Sequence, residues 1–159
     1  ASKKNRKDTM PVVKFEVKKL QEIDSKTLHN IFLLRAEVFI VEQECIYQDI
    51  DGKDLKSIHI IGKKNQEIVA YSRIMNLKND FCSIGRVLVK KDSRKKGLGK
   101  KLMRKSIEEA AKEYRKRKIK ISAQEYLRKF YTEIGFKHTG KSYLEDGIPH
   151  IEMIFNFSV

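Results

Sequence analysis

The apolar and polar positions of the chain fall into alternating and helical runs, and their order predicts the architecture. Phe15 to Leu20 alternates weakly, as a first strand would. Asp24 or Ser25 stands where a helix cap belongs, and Leu28, Ile31, Phe32, Arg35 and Val38 follow at helical spacing. Asp49 to Asp54 is an acidic loop carrying Gly52. His59 to Gly62 and Ile68 to Met75 read as strands around a turn at Lys64 to Glu67, and Phe81 to Val89 as a third strand after a turn at Lys78 to Asp80. Leu98, Leu102, Met103, Ile107, Ala110, Ala111 and Tyr114 form one apolar stripe of a helix. Ile119, Ile121 and Ala123 alternate as a strand. Tyr126, Leu127, Phe130, Tyr131 and Ile134 make a short amphipathic helix ended by Gly135. Phe136 to Ser142 and His150 to Phe157 close the chain as a strand pair around Asp146 and Gly147. The order β-α-β-β-β-α-β-α-β-β makes an α/β fold with a mixed sheet.

Composition narrows the class. A length of 159 residues suits a single domain with a real core. Apolar residues make up 40% and charged residues 35%, as in a soluble globular protein. No apolar run approaches the ~18 residues that a membrane span needs. Residues 1–11 read as a flexible basic tail without the apolar segment of a signal peptide, and 12–159 as the domain. Cys45 and Cys82 match no metal spacing and no Cys-x-x-Cys pair, so reduced thiols in a cytoplasmic protein and no metal site are expected.

The net charge of +14 is concentrated. Lys90 to Lys105 holds nine basic residues against Asp92, and Lys112 to Lys120 holds six against Glu113. Such a field attracts a polyanion or a phosphorylated cofactor. The strand ending Val87-Leu88-Val89 runs into Arg94-Lys95-Lys96-Gly97-Leu98-Gly99 and then into the long helix. Glycine permits close backbone approach, and the first helical N–H groups lack internal partners. The helix dipole adds to the attraction for an anion. Gly97 and Gly99, ringed by Arg94, Lys95, Lys96, Lys100 and Lys101, therefore suit a pyrophosphate. The order of a nucleotide P-loop is missing, as is Gly-x-Gly-x-x-Gly.

Arg94-x-x-Gly97-Leu98-Gly99 after Val87-Leu88-Val89 resembles the coenzyme A-binding motif of the GNAT acetyltransferases. The stretch from Gln124 through Tyr131 to Gly135-Phe136 is similar to that family's second motif, with Gln124 where most members have Asn. The resemblance is closest to the ElaA-type branch and runs from about Arg35 to Met153, through Arg35 to Gln43, Tyr47 to Asp51 and Glu145 to His150. It implies a mixed, mostly antiparallel sheet flanked by helices. It also implies acetyl-coenzyme A as acyl donor and a primary amine, small or peptidic, as acceptor. The pyrophosphate would lie on the amides from Lys95 to Lys100, and Gln124 would contact the cofactor. The pantetheine arm would lie along Val87, Leu88 and Val89, where a backbone N–H would hold the oxyanion. Tyr131 would protonate the leaving thiolate.

The residues leave the base open among Glu42, His59, Glu145 and His150. Arg35, Glu42, Asp49, Asp51 and Asp54 read either as loop charges with a salt bridge or as a pocket for a cationic acceptor. Two other functions compete. Arg35-x-x-Val38-Phe39 with Asp49-x-Asp51-x-x-Asp54 is similar to acyl-homoserine-lactone synthases, which use adenosylmethionine. A non-catalytic nucleic-acid-binding protein would use the basic helix, but the patch lacks interleaved aromatic residues for base stacking. A homodimer remains open.

Overall fold

The computed structural model describes residues 12–157. The expected tail at 1–11 lies outside them. The elements are β1 (Lys14–Lys19), α1 (Ser25–Arg35), β2 (Ile58–Lys64), β3 (Glu67–Asn76), β4 (Phe81–Val89), α2 (Leu98–Glu113), β5 (Lys118–Gln124), α3 (Arg128–Ile134), β6 (Lys137–Glu145) and β7 (Ile148–Phe155). This is the expected order. Each turn has a local cause. Asn65 and Gln66, Asn79 and Asp80, and Asp146 and Gly147 all take positive φ, as tight hairpin connections require. Asp24 caps α1 by accepting from the Thr27 N–H at 2.7 Å. Gly135 ends α3 at φ +123.

One expectation changes in kind. The apolar spacing through Val38 continues α1, but residues Ala36–Glu42 form a π-helical segment. π-turns are uncommon and recur at functional sites. This one carries Glu42 to the rim of the cleft described below.

The seven strands form one sheet in the order β1-β2-β3-β4-β5-β7-β6, and every neighbouring pair is antiparallel except β4 with β5. Two cores lie on opposite faces. Ile60, Ile74, Ile119, Ile121 and Met153 pack with Leu102, Met103 and Ala110 of α2 and with Tyr131 and Phe136. Ile61, Ile68, Tyr71 and Leu88 pack with Ile31, Leu34 and Val38. Ile60 and Ile61 face opposite cores because strand side chains alternate. Each fully buried aliphatic side chain contributes about 1.5–3 kcal/mol, so the two cores fix the three helices against the sheet.

Candidate active site

The parallel pairing of β4 with β5 is confined to Phe81 with Lys118 and Cys82 with Ile119. Beyond that point β4 runs on to Val89 and β5 to Gln124 without pairing to each other. A bulge in β4 accompanies the divergence. Tyr71 faces Leu88 and Arg73 faces Gly85, so Arg86 and Val87 together oppose Ser72. Arg86 takes φ +50 there. A bulge bends its strand and increases the twist. The wedge opens into a cleft of about 790 Å³.

The cleft floor at the end of β4 is the glycine-rich turn. Lys95 has φ +65 and Gly97, the N-cap of α2, has φ +76. A Cβ on Gly97 would meet nothing within 4 Å, so the space before its backbone is open to a ligand. Gly99 has a different reason. A Cβ there would sit 3.4 Å from the Phe130 ring, so that glycine serves the close approach of α3 to α2. Arg94 Nε donates to the Val89 carbonyl at 2.8 Å, and its Nη2 donates to Glu42 Oε2 at 2.8 Å.

The structure brings most of the expected site residues together. Val87, Leu88, Val89, Arg94, Lys95, Gly97, Leu98, Gly99, Lys100, Gln124, Tyr131, Glu42, Glu145 and His150 all line the cleft. Lys96 does not line it and points to solvent. Gln124 Nε2 donates to Gln43 Oε1 at 3.1 Å, tying the end of β5 to the segment after the π-turn. Tyr131 is buried, its ring packed edge-on against Phe130 and Phe136 at 5.0 and 5.8 Å. Its hydroxyl makes no hydrogen bond to a described residue. Burial holds that hydroxyl well above the usual phenol range.

The four candidate bases separate. His59 is fully buried and outside the cleft lining. Its Nε2 lies 3.0 Å from the Asp54 carbonyl and therefore carries the hydrogen, and Nδ1 accepts from the Tyr71 hydroxyl at 2.6 Å. With both nitrogens engaged, and burial pushing its pKa down, His59 is a structural group and not a base for a substrate in the cleft. Glu42 is chelated by Arg94, whose hydrogen bonds hold its carboxyl below the usual range. That makes it a poor proton acceptor. His150 and Glu145 remain and form a pair, with Nε2 3.2 Å from Glu145 Oε2. Nδ1 of His150 donates to the Ile148 carbonyl at 2.7 Å. Nε2 of the neutral ring is then free of hydrogen, and a proton taken there would be shared with Glu145. Tyr143 stacks on the imidazole, and its hydroxyl lies against the Ser122 hydroxyl.

The acidic loop is not an open cation pocket. Arg35, fully buried, lies 3.0 Å from Asp49 and 2.7 Å from Asp54. Arg73 lies 2.7 Å from Asp51 and 2.9 Å from Asp54, and Arg86 lies 2.8 Å from Asp49. Three aspartates meet three arginines, so the structural alternative holds for Asp49, Asp51 and Asp54. Burial opposes the charges on Asp51 and Asp54, but the arginines outweigh it and both carboxyls sit below their ordinary range. Sequence reasoning missed Arg86, Tyr47 and Cys45, which all line the cleft. Arg86 lies on the strand edge already singled out at Val87, but its side-chain role needed the bulge to be seen. Cys82 does not line the cleft, and burial raises its thiol to about 11.

A splayed parallel pair beside a glycine-rich helix N-terminus is the geometry of an acyl-transferring enzyme of the GNAT type. The family model for the GNAT acetyltransferase domain matches residues 20–157, and the chain belongs to that family as an N-acyltransferase. It is 42% identical to Escherichia coli ElaA over 136 residues, covering 83% of this chain and 89% of that protein. The ElaA crystal structure superposes with a TM-score of 0.85, covering 91% of this chain and all of that one. An acyl-CoA N-acyltransferase from Pseudomonas aeruginosa superposes with a TM-score of 0.83 at 34% identity, covering 89% and 99%. The acyl-homoserine-lactone synthase LasI shares the fold alone, with a TM-score of 0.70 at 16% identity over 91% and 90% of the two chains.

Proposed function

We propose that the protein transfers an acetyl group from acetyl-coenzyme A to a primary amine by direct attack on the thioester. The observation that carries this is the wedge between β4 and β5, which ends at the open left-handed turn of Gly97. The unpaired edge of β4 from Val87 to Val89 offers main-chain groups to the pantetheine arm, and the first N–H groups of α2 face the pyrophosphate. A backbone N–H at the bulge stabilises the oxyanion. Tyr131 gives its proton to the leaving thiolate, and the His150–Glu145 pair takes one from the amine. Two reduced thiols and this donor fit a cytoplasmic enzyme. The test is a panel of amines (polyamines, amino sugars, lysine peptides, amino acids) with acetyl-coenzyme A and free-thiol detection. Thiol release that depends on both the protein and an amine is expected, and its absence across the panel would refute the reading.

Two substitutions probe the donor end. Gly97→Glu sets a carboxylate where the pyrophosphate lies. Hydrogen bonds to charged groups are worth about 1.5–3 kcal/mol each, so the affinity for acetyl-coenzyme A is expected to fall at least tenfold. Calorimetric titration of a folded variant checks this, and wild-type affinity would remove the pyrophosphate from that turn. Glu42→Gln acts in the opposite direction. It frees Arg94 for the phosphates, and a half-exposed ion pair of this kind is worth about 0.2–1 kcal/mol. Coenzyme A should therefore bind up to about fivefold tighter. Weaker binding would instead mean that Glu42 positions Arg94 for the ligand.

A further inference from the structure

The acceptor end of the cleft carries a charge pattern that acyl transfer by itself does not require. Arg86 forms one wall. Its Nε lies 2.8 Å from Asp49 Oδ1, and its Nη2 donates to the Asp49 carbonyl at 3.1 Å and lies 3.5 Å from Asp51 Oδ2. Its Nη1 makes no hydrogen bond to a described residue, and the side chain stays 23% exposed where it lines the cleft. A guanidinium is a planar fork of five N–H donors, two of them on Nη1. The Tyr47 ring, 5.2 Å from the guanidinium carbon, and the two aspartates fix the plane of that fork. The free edge is thus held in place before any ligand arrives.

Glu145 and Asp146 line the cleft from the β6–β7 turn. Among the described residues neither has a lysine or arginine within ion-pair distance; Glu145 faces the His150 ring at 3.2 Å and accepts from the Ser122 hydroxyl at 3.4 Å. That is unusual in a chain of net charge +14. One short segment ties the Arg86 wall to the turn. Cys45 Sγ donates to the Asp146 carbonyl at 3.7 Å, and Tyr47 stacks on Arg86. Arg86, Glu145 and Asp146 all line the one cleft of about 790 Å³, so a molecule held there meets a cationic wall and an anionic one.

We propose that the acceptor is a small zwitterion. Its ammonium enters against Glu145 and Asp146, and its carboxylate or phosphate takes the Nη1 edge of Arg86. The inference rests on the acyl-transfer reading of the same cleft and narrows its substrate class. A polyamine or a lysine-rich peptide, cationic throughout, would set a positive charge against Arg86. The β4 bulge serves this role, because an extra residue re-aims the side chains around it.

The test is calorimetric titration of coenzyme A-saturated protein with matched amines. α-, β- and γ-amino acids are each paired with their carboxamides, and phosphoethanolamine with ethanolamine. At least one anionic member is expected to bind at least tenfold more tightly than its neutral partner, and the two arms distinguish carboxylate from phosphate. Arg86→Gln should reduce the preference to less than threefold. Arg86→Lys keeps the charge against Asp49 and Asp51, loses the fork, and should shift the preference the same way should the glutamine variant not fold. Equal binding within every pair, no binding of either member, or an undiminished preference in the Arg86 variants would overturn the proposal. Thiol release with acetyl-coenzyme A is read separately. A zwitterion preference without release would leave the recognition pattern standing and sink acyl transfer.

Discussion

Tyr131→Phe is expected to lower kcat at least roughly tenfold, the low end of what general-acid assistance supplies once water substitutes in part. The fold and the affinity for coenzyme A should stay near wild type. The ring is what packs against Phe130 and Phe136, and phenylalanine keeps it. The hydroxyl has no hydrogen bond to a described residue, so its removal leaves no buried partner unsatisfied. Burial favours the neutral phenol and raises its pKa above the ordinary value. Tyr131 therefore keeps its proton up to and beyond about pH 10, and the acid remains available across the working range of the enzyme. Any fall in kcat below that pH must come from another group. Rates measured from pH 6 to 10 on both proteins, with acetyl-coenzyme A titrations alongside, decide the matter. A variant that turns over at the wild-type rate would make Tyr131 a packed aromatic and nothing more.

The largest loss of stability is expected from Arg35→Ala. Arg35 is fully buried and holds Asp49 and Asp54 at once. Removing one partner from a buried ion pair costs about 3–5 kcal/mol, because the remaining charge is left uncompensated. For a chain of this length that lowers Tm by roughly 6–20 °C. The network also sets the acid limb of stability. Asp54 is buried and Asp51 partly so, which opposes their charge, yet the arginines hold both carboxyls below their unfolded values. Their contribution is full above the unfolded pKa near about 4 and is lost as pH falls through the depressed folded values. Thermal melts from pH 7 to 2 should show this loss in wild type and a smaller one in Arg35→Ala. A variant that melts within a degree or two of wild type would show that the cluster contributes little beyond its local geometry.

The strands and helices were legible because the physics that sets them is local. Alternation at Ile119, Ile121 and Ala123, the α2 stripe, and the turn residues at Asn65, Asn79 and Gly147 each determine their own neighbourhood. Phe81 to Val89 matches β4 residue for residue. The glycine-rich turn was legible for the same reason, since φ +76 at Gly97 is a local demand. What escaped was every property set by distant partners. His59 stood among four candidate bases, but Tyr71 and the Asp54 carbonyl hold both its nitrogens. Asp49, Asp51 and Asp54 could be read as loop charges with one salt bridge or as a cation pocket, because Arg73 and Arg86 arrive from strands 19 or more residues later. Glu42 looked like a base until Arg94, 52 residues away, was found to chelate it. The bulge in β4 carries no composition signal apart from Gly85. No pattern in β4 or β5 alone states that two parallel strands pair at one end and part at the other.

That parting has a mechanical meaning. The sheet is two leaves, β1 to β4 and β5 with β7 and β6, each closed by its own antiparallel ladders. The leaves meet through main-chain pairing at two residue positions only. A small change in the angle between them breaks almost no ladder hydrogen bonds and is resisted chiefly by the side chains of α2 and α3 packed beneath. The spine of the molecule is thus a hinge with a soft pin and stiff plates. Any molecule that lies along the exposed edge of one leaf and touches the other acts as a strut, so the rigidity of this protein should depend on what it is holding.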